Sequence, residues 1–270
     1  MMSTVALGAW RARFELIQYV RSGDTLVFTF LFPIALLALF STIFGADGDF
    51  TAGPGLPAIP VAQMYLPAML AAGMLLSGFQ NLAMDIATER TNGTLKRLGA
   101  TPLSPVSYFL GKIGQVGVTA VVQAGLIILF AVVVFQVPLP TEPEKWLTFT
   151  WVFVLGVVTS ALLGVALSAV PRSGRSASAV IIPIVLVVQF ISGVYLFFFL
   201  LPDWLQTAAS VLPVKWMAQG MREVFLPAEY AVLEQGGEWN LGGVAVALGV
   251  WLIVGLVLAR LTFRWNRRDA

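Results

Sequence analysis

Six long apolar runs, separated by short polar segments, dominate the chain. The runs cover residues 25–46, 62–84, 113–141, 146–171, 176–202 and 239–259. Each run is long enough to cross the hydrocarbon layer of a bilayer, roughly 30 Å thick, as an α-helix. The pattern predicts an all-α membrane protein, a single domain over residues 1–270 with six transmembrane helices at 25–46, 62–84, 113–135, 146–170, 177–200 and 240–260.

Composition and charge support this prediction and orient it. Hydrophobic residues make up 58% of the chain and charged residues only 11%, which is more apolar surface than a soluble domain can bury. With a cytoplasmic N-terminus, only Lys145, Lys215 and Arg222 of the 16 basic residues face outside. The positive-inside rule therefore predicts that both termini are cytoplasmic. The basic residues lie at juxtamembrane sites, which favours lipid headgroups over nucleic acid as their partner.

The runs offer little chemistry. The chain has no cysteine and no histidine, no Gly-rich loop with the spacing of a nucleotide-binding P-loop, and no charged residue near the middle of a run. Ion-coupled transporters need ionisable groups inside the membrane, and ATPases need such a loop. We therefore predict no catalytic residue and no metal site, and we expect the energy for uphill transport to come from another chain.

An amphipathic helix is predicted before the first run. Its apolar residues recur at near-helical spacing: Val5, Leu7, Trp10, Phe14, Ile17 and Val20. Such a helix lies in the cytoplasmic membrane interface with its tryptophan at headgroup depth, or packs on another protein, and the two are compatible.

The fourth run carries small residues at every fourth position, namely Gly156, Ser160, Gly164 and Ser168. This stripe permits the close approach of a neighbouring helix. We favour another helix of the same chain over a second copy as that neighbour.

A short two-faced helix is predicted between the second and third runs, on the cytoplasmic side. Asn92-Gly93 breaks the preceding helix, and Thr94 caps the new one. Its apolar and basic residues fall on different faces, Leu95 and Leu98 on one and Lys96 and Arg97 on the other. Periodicity alone leaves open whether this is a docking helix or an ordinary basic loop.

Two short apolar patches, 204–212 and 214–226, lie between the fifth and sixth runs and are separated by Leu212-Pro213. Each patch is too short to cross the bilayer. We interpret them as a re-entrant helical hairpin that enters the outer leaflet and returns, with a pair of helices lying on the outer surface as the alternative.

Two motifs resemble those of type-2 ABC-transporter permeases. The first is Glu89-Arg90-Thr91-Asn92-Gly93-Thr94-Leu95-Lys96-Arg97-Leu98, with Ala100-Thr101-Pro102 after it. The second is Ser192-Gly193-Val194, followed by Leu201-Pro202 and Leu212-Pro213. The resemblance covers nearly the whole chain and is closest to the drug and daunorubicin-type exporters.

The resemblance implies the permease subunit of a bacterial ABC exporter in the cytoplasmic membrane. Such a permease pairs with a second copy or a paralogue, and separate ABC ATPase subunits bind the ATP. The chain itself is then not an enzyme and holds no cofactor. The implied cargo is a hydrophobic or amphipathic compound or a lipid-linked molecule, and its binding residues are not identified.

The short cytoplasmic helix resembles the coupling helix of this family. The residues implied to contact the ATPase are Glu89, Arg90, Gly93, Thr94, Leu95, Lys96, Arg97 and Leu98. We expect Leu95 and Leu98 to fill an apolar groove on the ATPase, with Lys96 and Arg97 at the rim of that groove.

Two other functions stay open. A membrane-embedded enzyme would have to rest on carboxylates, and Asp85 with Glu89 is the close pair on the cytoplasmic side. That pair is better explained as the end of the second helix. A non-transporting scaffold or immunity-type protein with the permease fold would differ by lacking an ATPase partner.

Overall fold

The computed structural model of the protein describes residues 3–46, 48–171 and 173–265. Within these ranges the fold is all-helical apart from one isolated bridge between Phe50 and Ile59, which confirms the predicted class. The helices are α1 Thr4–Arg21, α2 Gly23–Phe44, α3 Val61–Leu75, α4 Leu82–Thr91, α5 Thr94–Gly99, α6 Pro105–Phe135, α7 Pro143–Leu167, α8 Gly174–Ile191, α9 Asp203–Ala209, α10 Pro213–Phe225 and α11 Leu241–Thr262. A π-helix, Leu76–Asn81, joins α3 to α4, and two 3-10 helices cover Phe198–Leu200 and Ala228–Leu233.

Five helical segments in the described part of the chain are long and apolar enough to cross a bilayer. They are Thr25–Phe44, Val61–Thr91, Pro105–Phe135, Pro143–Leu167 and Leu241–Thr262. These segments match five of the six predicted transmembrane helices. The helix of the third begins at Pro105, eight residues before its predicted transmembrane part, with Ser104 as the cap and Pro105 in the first turn.

The fifth predicted helix is shorter than expected, so the six-span arrangement is not confirmed. Its apolar part, Ser176–Ile191, rises about 24 Å at 1.5 Å per residue, which is less than the hydrocarbon thickness. The helix ends because Gly193 adopts a left-handed conformation (φ 76°) and the Val194 N–H donates back to the Gln189 carbonyl. This is the geometry of a Schellman-type helix end, and it removes residues 192–200 from the predicted helix.

The second span forms the centre of the bundle. Every residue of α3 is buried, and α3 packs against α2, α6, α7 and α10. Large apolar side chains are exposed on the outer helices instead, for example Phe28 on α2, Val133 on α6 and Val246 on α11. The outer faces of these helices are therefore the surfaces suited to lipid.

The stripe of small residues on α7 packs against the second span of the same chain. A side-chain carbon added at Gly156 would lie 2.6 Å from the Met74 sulfur, and one added at Gly78 would lie 2.7 Å from the Ser160 Cβ. Gly164 faces the backbone of Gly78 in the same way. The intramolecular interpretation of the stripe is confirmed.

The two patches after α8 form α9 and α10, with the predicted break at Leu212-Pro213. α10 is enclosed by α3, α7 and α11, and most of its residues are buried. Enclosure of α10 by protein is what a re-entrant helix requires, whereas most residues of α9 are exposed, so the re-entrant hairpin stays a prediction. The depth of α10 in the bilayer stays a prediction.

Candidate functional site

The short helix α5, which is predicted to lie on the cytoplasmic side, begins where Gly93 turns the chain sharply. Gly93 has φ 78°, a conformation that residues with a Cβ resist, while open space surrounds the position where a Cβ would lie. The Asn92 side chain accepts a hydrogen bond from the Thr94 N–H at 3.0 Å. The predicted cap at Thr94 is therefore wrong: Gly93 occupies the N-cap position, Asn92 stabilises the turn before it, and the Thr94 hydroxyl accepts a hydrogen bond from Arg97 at 3.3 Å instead.

The apolar face of α5 points into its own chain. Leu95 is fully buried, with 0% of its surface exposed, and Leu98 is partly buried against the same core. Lys96 and Arg97 are exposed. The expectation that Leu95 fills a groove on a partner is corrected, because its side chain already fastens α5 to the bundle. The face that α5 offers to a partner consists of Lys96, Arg97 and the open edge of Leu98.

Glu89 and Arg90 lie near the end of α4, the helix that precedes α5. The Arg90 guanidinium donates hydrogen bonds to the Ser168 carbonyl and hydroxyl at the end of α7. Glu89 is buried. Both residues therefore connect the end of α4 to neighbouring helices. A role for these residues in contact with an ATPase stays a prediction, and Glu89 would act from inside the bundle.

A buried ionic cluster joins α1, α4 and α6 next to α5. Its members are Arg11 and Glu15 of α1, Asp85 and Glu89 of α4, and Tyr108 and Lys112 of α6. Lys112 has no exposed surface, and its ammonium lies 2.9 Å from Glu15 Oε2 and 2.9 Å from Glu89 Oε1, and also contacts Asp85. Lys112 of α6 thus joins carboxylates of α1 and α4 to its own helix.

Two further groups complete the cluster. The Tyr108 hydroxyl donates to Glu89 Oε2 at 2.6 Å. Arg11 pairs with Glu15 on its own helix and lies 3.3 Å from Glu89 Oε1. Two cations against three carboxylates give the cluster a formal charge of −1 when all five groups are ionised.

The three carboxylates also satisfy the spacing of a metal site, since oxygens of Glu15, Asp85 and Glu89 lie within 4.8 Å of one another. Lys112 contacts all three, so an ammonium group takes the position of the cation. The cluster is therefore a structural clamp, because charges buried at this level require such pairing.

Sequence reasoning missed most of this cluster. From the sequence alone, Asp85 and Glu89 are interpreted as a helix end, and Lys112 directly precedes the third predicted transmembrane helix, which begins at residue 113. The structure puts Lys112 inside α6. A usable signal was the lysine on an otherwise apolar helix, together with the i,i+4 pair Arg11 and Glu15 on an amphipathic one.

The amphipathic helix predicted at the N-terminus is present as α1, which packs on α6. Its apolar residues face away from the bundle, and Trp10 is 67% exposed. Between α1 and the chain after α5 lies an apolar groove of about 550 Å³, with Leu7, Phe14 and Leu103 in its walls. The position of α1 in the membrane interface stays a prediction.

A second buried polar group lies on α10, away from α5. Arg222 pairs with Glu234, and the Lys215 ammonium contacts the Gln219 side chain and lies 4.0 Å from the ring centroid of Trp216. Burial lowers the pKa of Lys215 to about 8, although the nearby Glu234 carboxylate opposes the shift.

A family model described as "ABC-2 family transporter protein" matches residues 56–263. The chain belongs to the ABC-2 transporter family. The match confirms the resemblance to type-2 ABC permeases and includes α3 to α11, with α5 among them. No curated protein sequence matches the chain.

As an ABC-2 permease, the chain is a multi-pass component of a membrane transporter, and permeases of this family work with an ABC ATPase. The matched range contains Asp85, Glu89, Tyr108 and Lys112 of the ionic cluster. Arg11 and Glu15 lie before it, on α1.

Proposed function

We propose that this permease is the membrane subunit of an ATP-driven exporter, and that a separate ATPase subunit moves it by pressing on α5. The proposal rests on the placement of α5. The basic residues of this helix are exposed, while its apolar residues pack against the helix bundle. The exporter moves a hydrophobic or amphipathic compound, or a lipid-linked molecule, across a bacterial cytoplasmic membrane, and it acts as a dimer with a second copy or a paralogue.

The first support is mechanical. Leu95 anchors α5 in the core, and α4 continues through the π-helix into α3, so that Val61–Thr91 forms one 31-residue helical segment through the centre of the bundle. The ionic cluster fastens the same segment to α1 and α6. A displacement applied at α5 is therefore passed to several helices at once, because packed elements move as units and do not deform continuously.

The second support is electrostatic. Lys96 and Arg97 are exposed next to each other on α5, and the groove between α1 and the chain after α5 adds an apolar surface. An ATPase surface with acidic residues around an apolar side chain would complement this face. Such pairs set orientation and association rate more than affinity.

The cargo class is supported by a second open apolar groove, of about 610 Å³. It lies between α2 and α8 and is lined largely by aromatic rings, Phe40, Phe190 and Phe197 among them. Ligand sites of this size and character take hydrophobic or amphipathic molecules.

The experiment compares two pairs of charge reversals in the tagged chain. Lys96→Glu with Arg97→Glu should reduce ATPase co-purification from native membranes at least tenfold and abolish ATP-dependent export in vesicles. The matched control, Arg260→Glu with Arg264→Glu, reverses two exposed basic residues at the end of α11 and should retain both activities. Wild-type co-purification by the α5 variant would refute the contact. A wild-type chain that recovers no ATPase would favour the scaffold function instead.

A further inference from the structure

A polar cavity of about 320 Å³ opens beside the ionic cluster, between α1, α2, α4 and α6. Two carboxylates, Glu15 and Asp85, form part of its wall, with neutral polar side chains such as Gln18, Tyr19 and Gln115 around them. Among the described residues that line it, none is a lysine or an arginine. The cavity therefore presents a wall of acceptor groups and negative charge.

The charge on this wall is not fully neutralised. The cluster behind it has a formal charge of −1, and Asp85 meets Lys112 through Oδ2 while 48% of its side chain stays exposed. Glu15 is 4% exposed, and both of its oxygens are paired, Oε2 with Lys112 and Oε1 with Arg11, so Asp85 is the carboxylate that is open to the cavity. A positive charge in the cavity would face Asp85 at short range.

The size and position of the cavity restrict the ligand. A volume of about 320 Å³ is at the lower end of small-molecule sites, enough for a compact head group. Leu82 and Met84 add an apolar side, and Thr25, where the first span begins, places the cavity at the cytoplasmic end of the bundle in the predicted orientation. A weakly hydrated organic cation fits these features, because it gives up little hydration free energy when it moves from water into the cavity.

We infer that this cavity binds the cationic head group of an amphipathic organic cation at the cytoplasmic entrance of the permease. The inference rests on the proposed function and narrows its substrate class. The neutral groups on the wall solvate the head group, Asp85 supplies the opposing charge, and the apolar tail extends towards the lipid-facing side of α2.

The test uses a matched pair of fluorescent probes, one ending in a 2-(trimethylammonio)ethyl group and the other in its neutral 3,3-dimethylbutyl isostere. Binding is measured by anisotropy to the purified full chain in phosphatidylcholine nanodiscs, whose lipids carry no net charge. The wild-type chain should bind the cationic probe at least tenfold more tightly than the neutral probe.

Two variants locate the binding. Asp85→Asn removes the exposed charge, and Gln18→Lys adds an opposing charge at an exposed position of the wall without touching the ion pairs. Each should weaken binding of the cation at least tenfold and leave the neutral probe unchanged. Asp203→Asn, an exposed acid on α9, is the control and should bind as the wild type does.

Equal affinities for the two probes, or wild-type affinity in a folded Gln18→Lys variant, would overturn the inference. Gln18→Lys keeps the test decisive if Asp85→Asn does not fold. The measurement needs no ATPase, so loss of probe selectivity counts against the cation site alone. Failure of the co-purification experiment counts against the ATPase contact alone.

Discussion

The substitution Lys112→Met should destabilise the protein far more than the loss of an exposed ion pair does. Lys112 is completely buried and contacts three carboxylates, so its removal changes the formal charge of the cluster from −1 to −2 and leaves the buried Glu15 and Glu89 without their lysine. Breaking a buried ion pair by removing one partner costs about 3–5 kcal/mol. Because Asp85 is half exposed and regains solvent, we expect a loss of about 3 kcal/mol.

The assay is reversible unfolding of the purified chain in mixed micelles, followed by circular dichroism. A double-mutant cycle isolates the electrostatic part: Glu89→Gln combined with Lys112→Met restores a net charge of −1. The double variant should therefore lose less stability than the sum of the two single variants, by about 1 kcal/mol or more. Lys96→Met, at an exposed lysine on α5, serves as the control and should change stability by less than about 0.5 kcal/mol.

Two results would refute this reasoning. The first is a Lys112→Met variant as stable as the Lys96→Met control, which would mean that the cluster does not clamp the helices. The second is strict additivity in the cycle, which would mean that Lys112 and Glu89 do not interact in the folded chain.

Three further predictions address topology, pH and packing. A single cysteine at Asn92 should resist an impermeant reagent in intact cells while one at Asp49 reacts, and the reverse pattern would contradict the orientation drawn from the basic residues. Burial lowers the pKa of Lys215 to about 8 from its ordinary 10.5, so between these pH values the unfolded chain binds more protons than the folded chain does. The free energy of unfolding of the wild type should therefore rise with pH through this window relative to that of Lys215→Met. Parallel stability curves for the two proteins would exclude the shift. Gly164→Ala should cost more than about 1 kcal/mol because its Cβ meets the backbone of the second span, while Gly117→Ala, at an open position, should be neutral or stabilising; equal effects in a thermal melt would argue against close packing.

The sequence predicted the long helices well because an apolar run surrounded by charges has few alternatives in a bilayer. The run that contains α8 was overestimated, since hydropathy does not register the left-handed turn at Gly193 inside it. Length and composition continue smoothly through that point, so only the backbone conformation reveals the end of the helix.

The candidate site was predicted less completely, for a different reason. Periodicity identified α5 and its basic face, but which partner receives the apolar face depends on tertiary packing, and Leu95 turned out to face its own chain. The cluster around Lys112 joins residues as far apart in sequence as Glu15 and Lys112, and one sequence alone does not show which distant carboxylates such a lysine pairs with.

The π-helix at Leu76–Asn81 determines in which direction the residues of α4, which follow it in the second span, face. A π-turn accommodates one more residue than an α-helix does over the same rise, and one residue corresponds to about 100° of rotation around the helix axis. Asp85 and Glu89 face Lys112 only with that extra residue in place. A one-residue deletion between Leu76 and Asn81 would therefore leave the span long enough and apolar enough, yet rotate both carboxylates away from α6. In this permease, the rotational position of α4 about its axis therefore decides whether the end of the second span is joined to α1 and α6.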